Sequence, residues 1–324
     1  MPNPDTPAAT MGVMTYNILA GGGPRLPAIE QVIRDAGADL IGVQEVLRPD
    51  LLARLAEHLE MYHALGRSPS DWHVGILSRW PILDVRTYSD SPMLRSLLDV
   101  LVELPDGTRL RFFSTHLSAR FNAYRMGEGH RLKELAFVLD ILRDVREAGE
   151  PHVLVGDFNS VAPGERFQPM QVMRHALSVD AKRKALGHEI HGHPGVDNIL
   201  PPVMRPLRPL LSVASRNAPL SGLCDTLVSL YMPRSVIGRM LTAGYIDCYA
   251  ATYPDPGTRA FTCPLPAPGG RIDYIWASPS FAERLVTCDV LTDAPQRPVM
   301  GASDHRPLLA TFRLGESSPL TNQR

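Results

Sequence analysis

Leu154-Val155-Gly156-Asp157-Phe158-Asn159 is the most informative stretch of this 324-residue chain. Its apolar first half is typical of a buried β-strand, and its second half delivers a carboxylate and a carboxamide to the end of that strand. Because side chains alternate between the two faces of a strand, Asp157 and Asn159 are expected to point the same way. The pair would place an acceptor for a water proton or a metal ion beside an amide donor for an anionic oxygen.

Five other polar strand ends follow the same pattern. In each, a short run that favours a strand ends in an acidic, amide or histidine side chain. One such residue alone is more often a turn former or a satisfied polar group, but six in one chain indicate a shared active site. The five are Thr15-Tyr16-Asn17, Val43-Gln44-Glu45, Ser114-Thr115-His116-Leu117, Arg271-Ile272-Asp273-Tyr274-Ile275 and Ser303-Asp304-His305.

The composition allows a sizeable core and gives no electrostatic sign of a duplex-binding protein. Hydrophobic residues make up 44% of the chain and the net charge is -1, which fits one large domain or two small ones. The four cysteines are widely spaced and form no Cys-x-x-Cys pair, so free thiols in a reducing compartment are expected. No secretory signal or membrane span is recognised, and a cytoplasmic location is the expectation.

The hydrophobic pattern predicts strands and helices that alternate in the first half of the chain. A Pro105-Asp106-Gly107 turn predicts a hairpin, and the mixture of hairpins with strand–helix units favours two packed sheets with outer helices over one doubly wound parallel sheet. Strands are expected at 13–18, 40–46, 74–78, 97–104, 109–115, 153–156, 271–276, 285–291 and 307–313, and helices from Pro27, from Pro49 and over about 128–146.

Residues 165–243 have a different character and are interpreted as a basic, Pro-rich insertion. Between positions 166 and 240 there are ten Lys/Arg and four Asp/Glu, a net charge of +6 that leaves -7 for the rest of the chain. A basic cover over an acidic metal site would attract an anionic substrate, and a solvated surface insertion explains the charge equally well. The apolar run at 227–241 predicts one or two helices packed on the sandwich, with a lid over a lipid-like substrate as the alternative.

The polar strand ends offer metal ligands and acid–base groups. Glu45 and Asn17, with Asp304 from the C-terminal loop, suit a hard cation such as Mg²⁺, which prefers one or two carboxylates together with water and substrate oxygens. His305 can act as an acid, a base or a cationic phosphate contact near neutral pH. Asp273 is a plausible partner that would orient the His305 ring and favour its cation.

Taken in order, the six blocks resemble the signature of the DNase I-like endonuclease/exonuclease/phosphatase superfamily over about residues 11–314, with 1–10 and 315–324 expected to be flexible tails. The resemblance implies an α/β fold, a four-layer α/β sandwich in which two mixed β-sheets pack face to face between outer helices. It also implies Mg²⁺- or Mn²⁺-assisted in-line attack of water on a phosphoester, without a covalent enzyme intermediate.

The same resemblance implies a role for each matching residue. The metal ligands would be those named above. Asn159 would hold a phosphate oxygen and His116 would contact the phosphate. Asp157 would orient or deprotonate the water, and His305 paired with Asp273 would stabilise the pentacovalent state or act as the base. Both assignments of the base stay open.

The natural substrate is not specified by these blocks. Members of the superfamily cleave DNA and RNA, phosphotyrosyl-DNA links, inositol phosphates and sphingomyelin. We expect a phosphodiesterase acting on an anionic phosphoester. A metal-dependent nuclease on single strands or 3′ ends is the alternative, and a catalytically inactive binding module is the alternative of another class. An aromatic content of 6% disfavours duplex repair.

Two further groups of residues have competing interpretations. His188, His191 and His193 could bind a transition metal, but their spacing matches no standard zinc pattern and a polar loop is favoured. On the long helix, Arg131 and Glu134 either face the site or form an ordinary surface ion pair.

Overall fold

The computed structural model describes residues 9–119, 123, 125–187, 193, 195–266 and 268–315, without the side chain of residue 125. Most of the predicted tails, together with His188 and His191, lie outside the described residues. The strands run β1 Thr10–Asn17, β2 Leu40–Val46, β3 Tyr62–Gly66, β4 His73–Ser78, β5 Ile82–Tyr88, β6 Leu97–Glu103, β7 Arg109–His116, β8 His152–Asp157, β9 Ile246–Asp247, β10 Asp273–Ala277, β11 Leu285–Val290 and β12 Leu308–Arg313. The α-helices run α1 Leu26–Ala36, α2 Pro49–Leu59, α3 Arg125–Glu147, α4 Pro169–Leu186, α5 Val196–Ile199, α6 Arg208–Arg216, α7 Ala218–Tyr231, α8 Ser235–Thr242, α9 Cys248–Thr252, α10 Pro279–Ala282 and α11 Val299–Ala302.

The strands form two mixed six-stranded sheets. The first sheet has the order β11-β12-β1-β2-β4-β3 and the second has the order β5-β6-β7-β8-β10-β9. In each sheet one parallel pair, β1 with β2 and β7 with β8, lies among antiparallel neighbours. These two parallel pairs carry most of the polar strand ends, so the topology places those ends in the middle of both sheets.

Apolar side chains fill three layers between the sheets and their helices. Between the sheets, Val13 and Ile76 of the first sheet pack with Phe112 and Val155 of the second. Helices α1 and α2 cover the outer face of the first sheet, and α3 and α8 cover that of the second. The predicted four-layer α/β sandwich is confirmed.

Gly42 permits the two sheets to approach closely near the site. A Cβ at this position would lie 2.2 Å from Cγ2 of Val155 and 2.9 Å from Oγ of Ser114. Any larger residue would therefore separate β2 from β7 and β8. The close approach also lets Gln44 Nε2 donate to Ser114 Oγ across the sheets at 3.2 Å.

The insertion is helical rather than irregular. Helices α4 to α7 surround a small apolar core of their own that includes Met170, Met173 and Val196. Helix α8 packs on the second sheet as predicted, whereas Leu230 at the end of α7 is 75% exposed. The faded periodicity of this segment reflects helices that bury few residues each, five in α4 and one in α7.

Candidate active site

Three neighbouring strands form the polar end of the second sheet. In their register, Asp157 pairs with His116 of β7 on one side and with Asp273 of β10 on the other. His116 Nε2 lies 3.4 Å from Asp157 Oδ2, and all three side chains are buried. Three residues from distant sequence motifs therefore stand side by side.

Asn17 joins the two sheets at this end. Its side-chain amide donates to Glu45 Oε1 and to Asp157 Oδ2, in both cases at 3.1 Å. One buried amide thus connects the predicted metal ligand of the first sheet with the predicted base of the second. Asn17 Oδ1 accepts a hydrogen bond from the backbone amide of Leu19 at 3.0 Å, so Asn17 orients Glu45 and its own metal ligation stays a prediction.

Glu45 occupies a β-bulge at the end of β2. Its backbone has a φ of 65°, and the pairing with β4 shifts register between Gln44 and Val46. Glu45 Oε2 accepts from the backbone amide of Ala20 at 2.7 Å. The bulge re-aims the carboxylate at the strand end, which is a common use of bulges near active sites.

A turn, rather than the predicted alternation along a strand, sets the arrangement of Asp157 and Asn159. Asp157 is the last residue of β8 and Asn159 has a φ of 48°, so the regular strand pattern ends between them. Asp157 Oδ1 accepts from the backbone amide of Asn159 at 2.9 Å, which is an Asx-type turn. The side-chain amide of Asn159 donates to the carbonyl of Leu117 at 2.9 Å and retains a second hydrogen for a ligand.

The C-terminal loop brings His305 to the same cluster. Its Nδ1 lies 3.0 Å and 3.2 Å from the two oxygens of Asp273, and its Nε2 lies 3.9 Å from Asp157 Oδ2. The loop is fastened to β1, because Ser303 Oγ donates to the carbonyl of Asn17 at 2.6 Å. The predicted pairing of His305 with Asp273 is confirmed as a contact.

The ionisation of the cluster is strongly shifted. Burial and the neighbouring Asp273 carboxylate raise the pKa of Asp157 to about 7, against the opposing effect of His305. Burial alone would lower the pKa of His305, but the Asp273 carboxylate overcomes it and raises that pKa well above its usual value. Asp157 can therefore exchange a proton near neutral pH while His305 carries a positive charge.

His116 is held neutral. Burial, followed by the charges of Arg95 and His305, lowers its pKa well below the usual value. Its side chain is only 1% exposed, and its Nδ1 has no hydrogen-bond partner in the described structure. A neutral imidazole donor beside Asp157 is compatible with the predicted contact to phosphate, which stays a prediction.

Glu45 and Asp304 suit a divalent cation. Asp304 is 6% exposed, and its Oδ1 is buried without a hydrogen-bond partner among the described residues. Burial and the charge of Glu45 raise the pKa of Asp304 to about 6, although His305 acts in the opposite direction. A hard cation between the two carboxylates would relieve both the burial cost and their repulsion. The donor set therefore fits Mg²⁺ or Mn²⁺.

Arg95 is a site residue that the sequence motifs do not reveal. Its guanidinium donates to the carbonyl of Leu117 at 3.0 Å and lies 6.0 Å from the ring centroid of Trp72. Burial lowers its pKa, while the carboxylates of Glu45 and Asp157 act against that effect. No spacing pattern distinguishes Arg95 before β6 and β7 are paired.

Arg131 and Glu134 are buried and do not form a surface ion pair. Glu134 accepts backbone hydrogen bonds from Leu94 at 3.1 Å and from Ser118 at 2.9 Å. Arg131 instead donates to Glu128 and to the carbonyl of Ser118. The long helix therefore holds the two loops that border Arg95 and His116.

Arg271, although part of a signature block, serves the scaffold. Its guanidinium is buried between the carboxylates of Glu165 and Asp247 and lies 4.2 Å from the ring centroid of Tyr274. Glu165 begins the insertion and Asp247 follows it, so Arg271 ties both ends of the insertion to β10.

The sandwich fold and the buried carboxylate–histidine cluster at the shared end of its sheets are those of a phosphoester hydrolase. The chain belongs to the Endonuclease/Exonuclease/phosphatase family, whose model matches residues 14–305. This membership confirms the resemblance drawn from the six sequence blocks.

Solved structures share the fold at low sequence identity. The 3′ phosphatase NExo from Neisseria, bound to a product DNA hairpin, has a TM-score of 0.60 and 19% identity over 94% of this chain and 100% of that chain. An AP endonuclease from Archaeoglobus fulgidus has a TM-score of 0.58 and 18% identity over 94% of this chain and 100% of that chain. Truncated TDP2 from Caenorhabditis elegans has a TM-score of 0.55 and 16% identity over 94% of this chain and 98% of that chain. No curated protein matches the chain.

Within the described residues, the structure contains no helix whose length and hydropathy would let it cross a membrane.

Proposed function

We propose that this protein is a divalent-metal-dependent phosphodiesterase that cleaves P–O bonds by in-line attack of water. The observation that carries the proposal is the Asn17 amide, which binds Glu45 and Asp157 at equal distances of 3.1 Å. It couples a carboxylate suited to a cation with a carboxylate whose pKa is raised to about 7. Glu45 would hold the cation and Asp157 would activate the water, and the Asn17 amide connects these two carboxylates.

The side chains divide the reaction between them. Asp157 accepts the proton of the attacking water, because its raised pKa makes it a competent base near neutral pH. The new P–O bond forms as the ester P–O bond breaks, and the leaving oxygen takes a proton from solvent to give the alcohol. His305, kept cationic by Asp273, stabilises the negative charge that develops on the phosphoryl oxygens, and the free amide hydrogen of Asn159 adds a second donor. When bound by Glu45 and Asp304, Mg²⁺ or Mn²⁺ would polarise the phosphoryl group and offset its charge.

A nuclease acting on single strands or 3′ ends is the second candidate. Trp72 and Arg95 form a cation–aromatic pair beside the cluster, with 6.0 Å between the guanidinium carbon and the ring centroid. Such a pair suits a nucleotide, since the ring can stack on a base while the guanidinium binds a phosphate. NExo from Neisseria was solved with a DNA hairpin, which supports the same choice of substrate.

A substrate panel tests the proposal. Wild type, Asp157→Asn and His305→Gln are assayed with Mg²⁺ or Mn²⁺ on bis-p-nitrophenyl phosphate, p-nitrophenyl phosphate, single- and double-stranded DNA, RNA and a choline phospholipid. We expect hydrolysis of at least one phosphodiester, reduced by roughly 10²- to 10⁴-fold in both variants, as for the loss of a positioned acid–base group. No turnover of any substrate would contradict the proposal and favour an inactive binding module.

A matched pair of variants distinguishes the two candidates. If the substrate is a nucleic acid, Trp72→Ala should raise KM for single-stranded DNA or RNA and leave KM for bis-p-nitrophenyl phosphate unchanged. Tyr62→Ala, at an exposed aromatic residue on β3, is the control. Equal effects of Trp72→Ala on all substrates would contradict the nuclease assignment.

A further inference from the structure

Three polar side chains, each with a buried atom that lacks a hydrogen-bond partner, converge beside the candidate active site. The atoms are His175 Nε2, His193 Nδ1 and Asp304 Oδ1, all buried and unpaired in the described structure. Ligand atoms of these three side chains lie within 4.8 Å of one another. A buried polar atom left unpaired costs free energy, so three such side chains at one place point to a ligand-binding site.

The three side chains come from two different parts of the fold. His175 lies on α4 of the insertion and is 9% exposed. His193 follows α4, and its side chain is 23% exposed. Asp304 lies on the loop that carries His305. The α4 end of the cluster is held in place by the apolar core of the insertion, to which Met173 and Ala176 contribute from the same helix.

A direct hydrogen bond does not account for the cluster. His193 Nδ1 is 3.6 Å from Asp304 Oδ2, which is too long for a hydrogen bond. One ring nitrogen of each histidine has no hydrogen-bond partner in the described structure, and histidine binds metals through such a nitrogen.

We propose that His175, His193 and Asp304 form a binding site for a transition-metal ion of the Zn²⁺ type. Two imidazoles and one carboxylate are a common protein ligand set for such ions, and they leave one position open to water. Tetrahedral ligands at about 2.1 Å from zinc are separated by roughly 3.4 Å, so the observed spacing needs side-chain adjustments of about 1 Å. Mg²⁺ is disfavoured here because it prefers oxygen ligands.

The site would link the insertion to the catalytic loop. It shares Asp304 with the predicted Mg²⁺ site, whose other predicted ligands are Glu45 and Asn17. An ion bound here would fix α4 against the loop of His305, and it would draw on the same carboxylate that the reaction uses. The proposal does not depend on the proposed reaction, because it concerns binding of the ion rather than turnover.

Histidine NMR with Zn²⁺ tests the site directly. The EDTA-treated full chain, labelled with ¹⁵N at its 11 histidines, is titrated with Zn²⁺ while the imidazole nitrogen signals are followed. We expect the ring signals of two histidines to shift on addition of one equivalent. His175→Ala and His193→Ala should each remove the shift of the partner ring and lower the affinity for Zn²⁺ at least 10-fold. His63→Ala, at an exposed position on β3, is the matched control and should change neither.

Three outcomes would overturn the proposal. Absence of any imidazole shift with excess Zn²⁺ would exclude binding of the ion by these histidines. Shifts confined to His116 and His305 would place the ion in the reaction cluster. Unchanged Zn²⁺ affinity in a folded His193→Ala would exclude this residue as a ligand. Because His193 is partly exposed, that variant keeps the test valid if His175→Ala does not fold, and circular dichroism establishes folding in each case.

Discussion

Asp157 is a buried carboxylate whose neighbours act on its ionisation in opposite directions. Burial and Asp273 favour its neutral form, while His305 favours its charged form. The result is a pKa of about 7, which serves proton transfer but makes the charged state costly for folding. Function and stability are therefore in conflict at this one residue.

This conflict predicts a pH-dependent effect of Asp157→Asn on thermal stability. The folded-state pKa of about 7 exceeds the usual 3.8, so the stability contributed by the bound proton is lost as pH rises through about 7. The melting temperature of Asp157→Asn minus that of wild type should therefore become more positive between pH 5 and pH 7 and level off above that. Thermal unfolding of metal-free protein across this pH range measures the difference in melting temperature.

A surface carboxylate provides the control for that measurement. Asp140→Asn on α3 removes an exposed group whose side chain is 65% accessible, and its effect should not vary between pH 5 and pH 8. A melting-temperature difference for Asp157→Asn that is equally flat would mean that Asp157 ionises as an ordinary exposed carboxyl group does.

The positions of single residues were only partly predictable from the sequence. The six blocks identify Asp157, Asp273 and His305, although only Asp157 ends a strand, because Asp273 begins β10 and His305 lies in the loop between α11 and β12. The positive φ of Glu45 depends on the bulge against β4, and no local pattern encodes that pairing. Arg95 and His175 carry no motif, and their relevance emerges only when distant elements pack together.

The junction of β7 and β8 is the element on which the cluster depends. Gly156 has a φ of 156°, and a Cβ there would lie 2.1 Å from the carbonyl oxygen of Thr115. The next residues along the two strands are His116 and Asp157, which pair in register. Separation of the strands at Gly156 would therefore displace two site residues at once.

Gly156→Ala is predicted to lower both stability and activity. The added methyl group must push β7 away from β8, so we expect a destabilisation of roughly 2–4 kcal/mol and a larger fractional loss of kcat than of substrate affinity. Gly149→Ala is the control, because Gly149 also has a positive φ of 73° but a Cβ there meets no atom within 4 Å. Chemical denaturation and steady-state kinetics compare the two, and equal losses would show that backbone strain alone, not the strand contact, is responsible.

Prediction of the elements succeeded for most strands, including the edge strand β11, and failed for two other edge strands. Strand β2 has the predicted bounds Leu40–Val46, and the β6–β7 hairpin turns where Pro105-Asp106-Gly107 predicts it. Strands β3 and β5 were missed because each lies at the edge of its sheet and exposes several side chains. Their pairing partners, rather than their own composition, determine that they are strands.

At the scale of the whole molecule, charge is divided between the body and the insertion. The insertion carries a net charge of +6 between positions 166 and 240, and the rest of the chain carries -7. Within it, Lys182 and Lys184 are exposed, whereas Arg183 donates to the carbonyl of His193 at 2.8 Å. Lys182 is close enough to His193 to act on its pKa, so the exposed charge at this end of α4 adjoins the cluster that includes Asp304 of the catalytic loop.

Removal of these two lysines should weaken capture of an anionic substrate. For Lys182→Ala/Lys184→Ala we expect KM to rise roughly 3- to 10-fold at low salt with kcat unchanged, and the difference to shrink as ionic strength increases. Lys133→Ala, at an exposed position on α3, is the control. Steady-state kinetics between about 20 and 300 mM salt measure this difference in KM. A KM equal to that of wild type at every salt concentration would leave the insertion without an electrostatic role.

The fate of solvent oxygen tests the central claim most directly. A phosphodiester that the enzyme cleaves is hydrolysed in H₂¹⁸O, with and without Mg²⁺, by wild type and by Asp157→Asn. The account predicts one ¹⁸O atom on the phosphorus of the product. Hydrolysis should require the metal, and its rate should be at least about 10²-fold lower in Asp157→Asn than in wild type. Label in the leaving alcohol, or equal rates in wild type and Asp157→Asn, would contradict it.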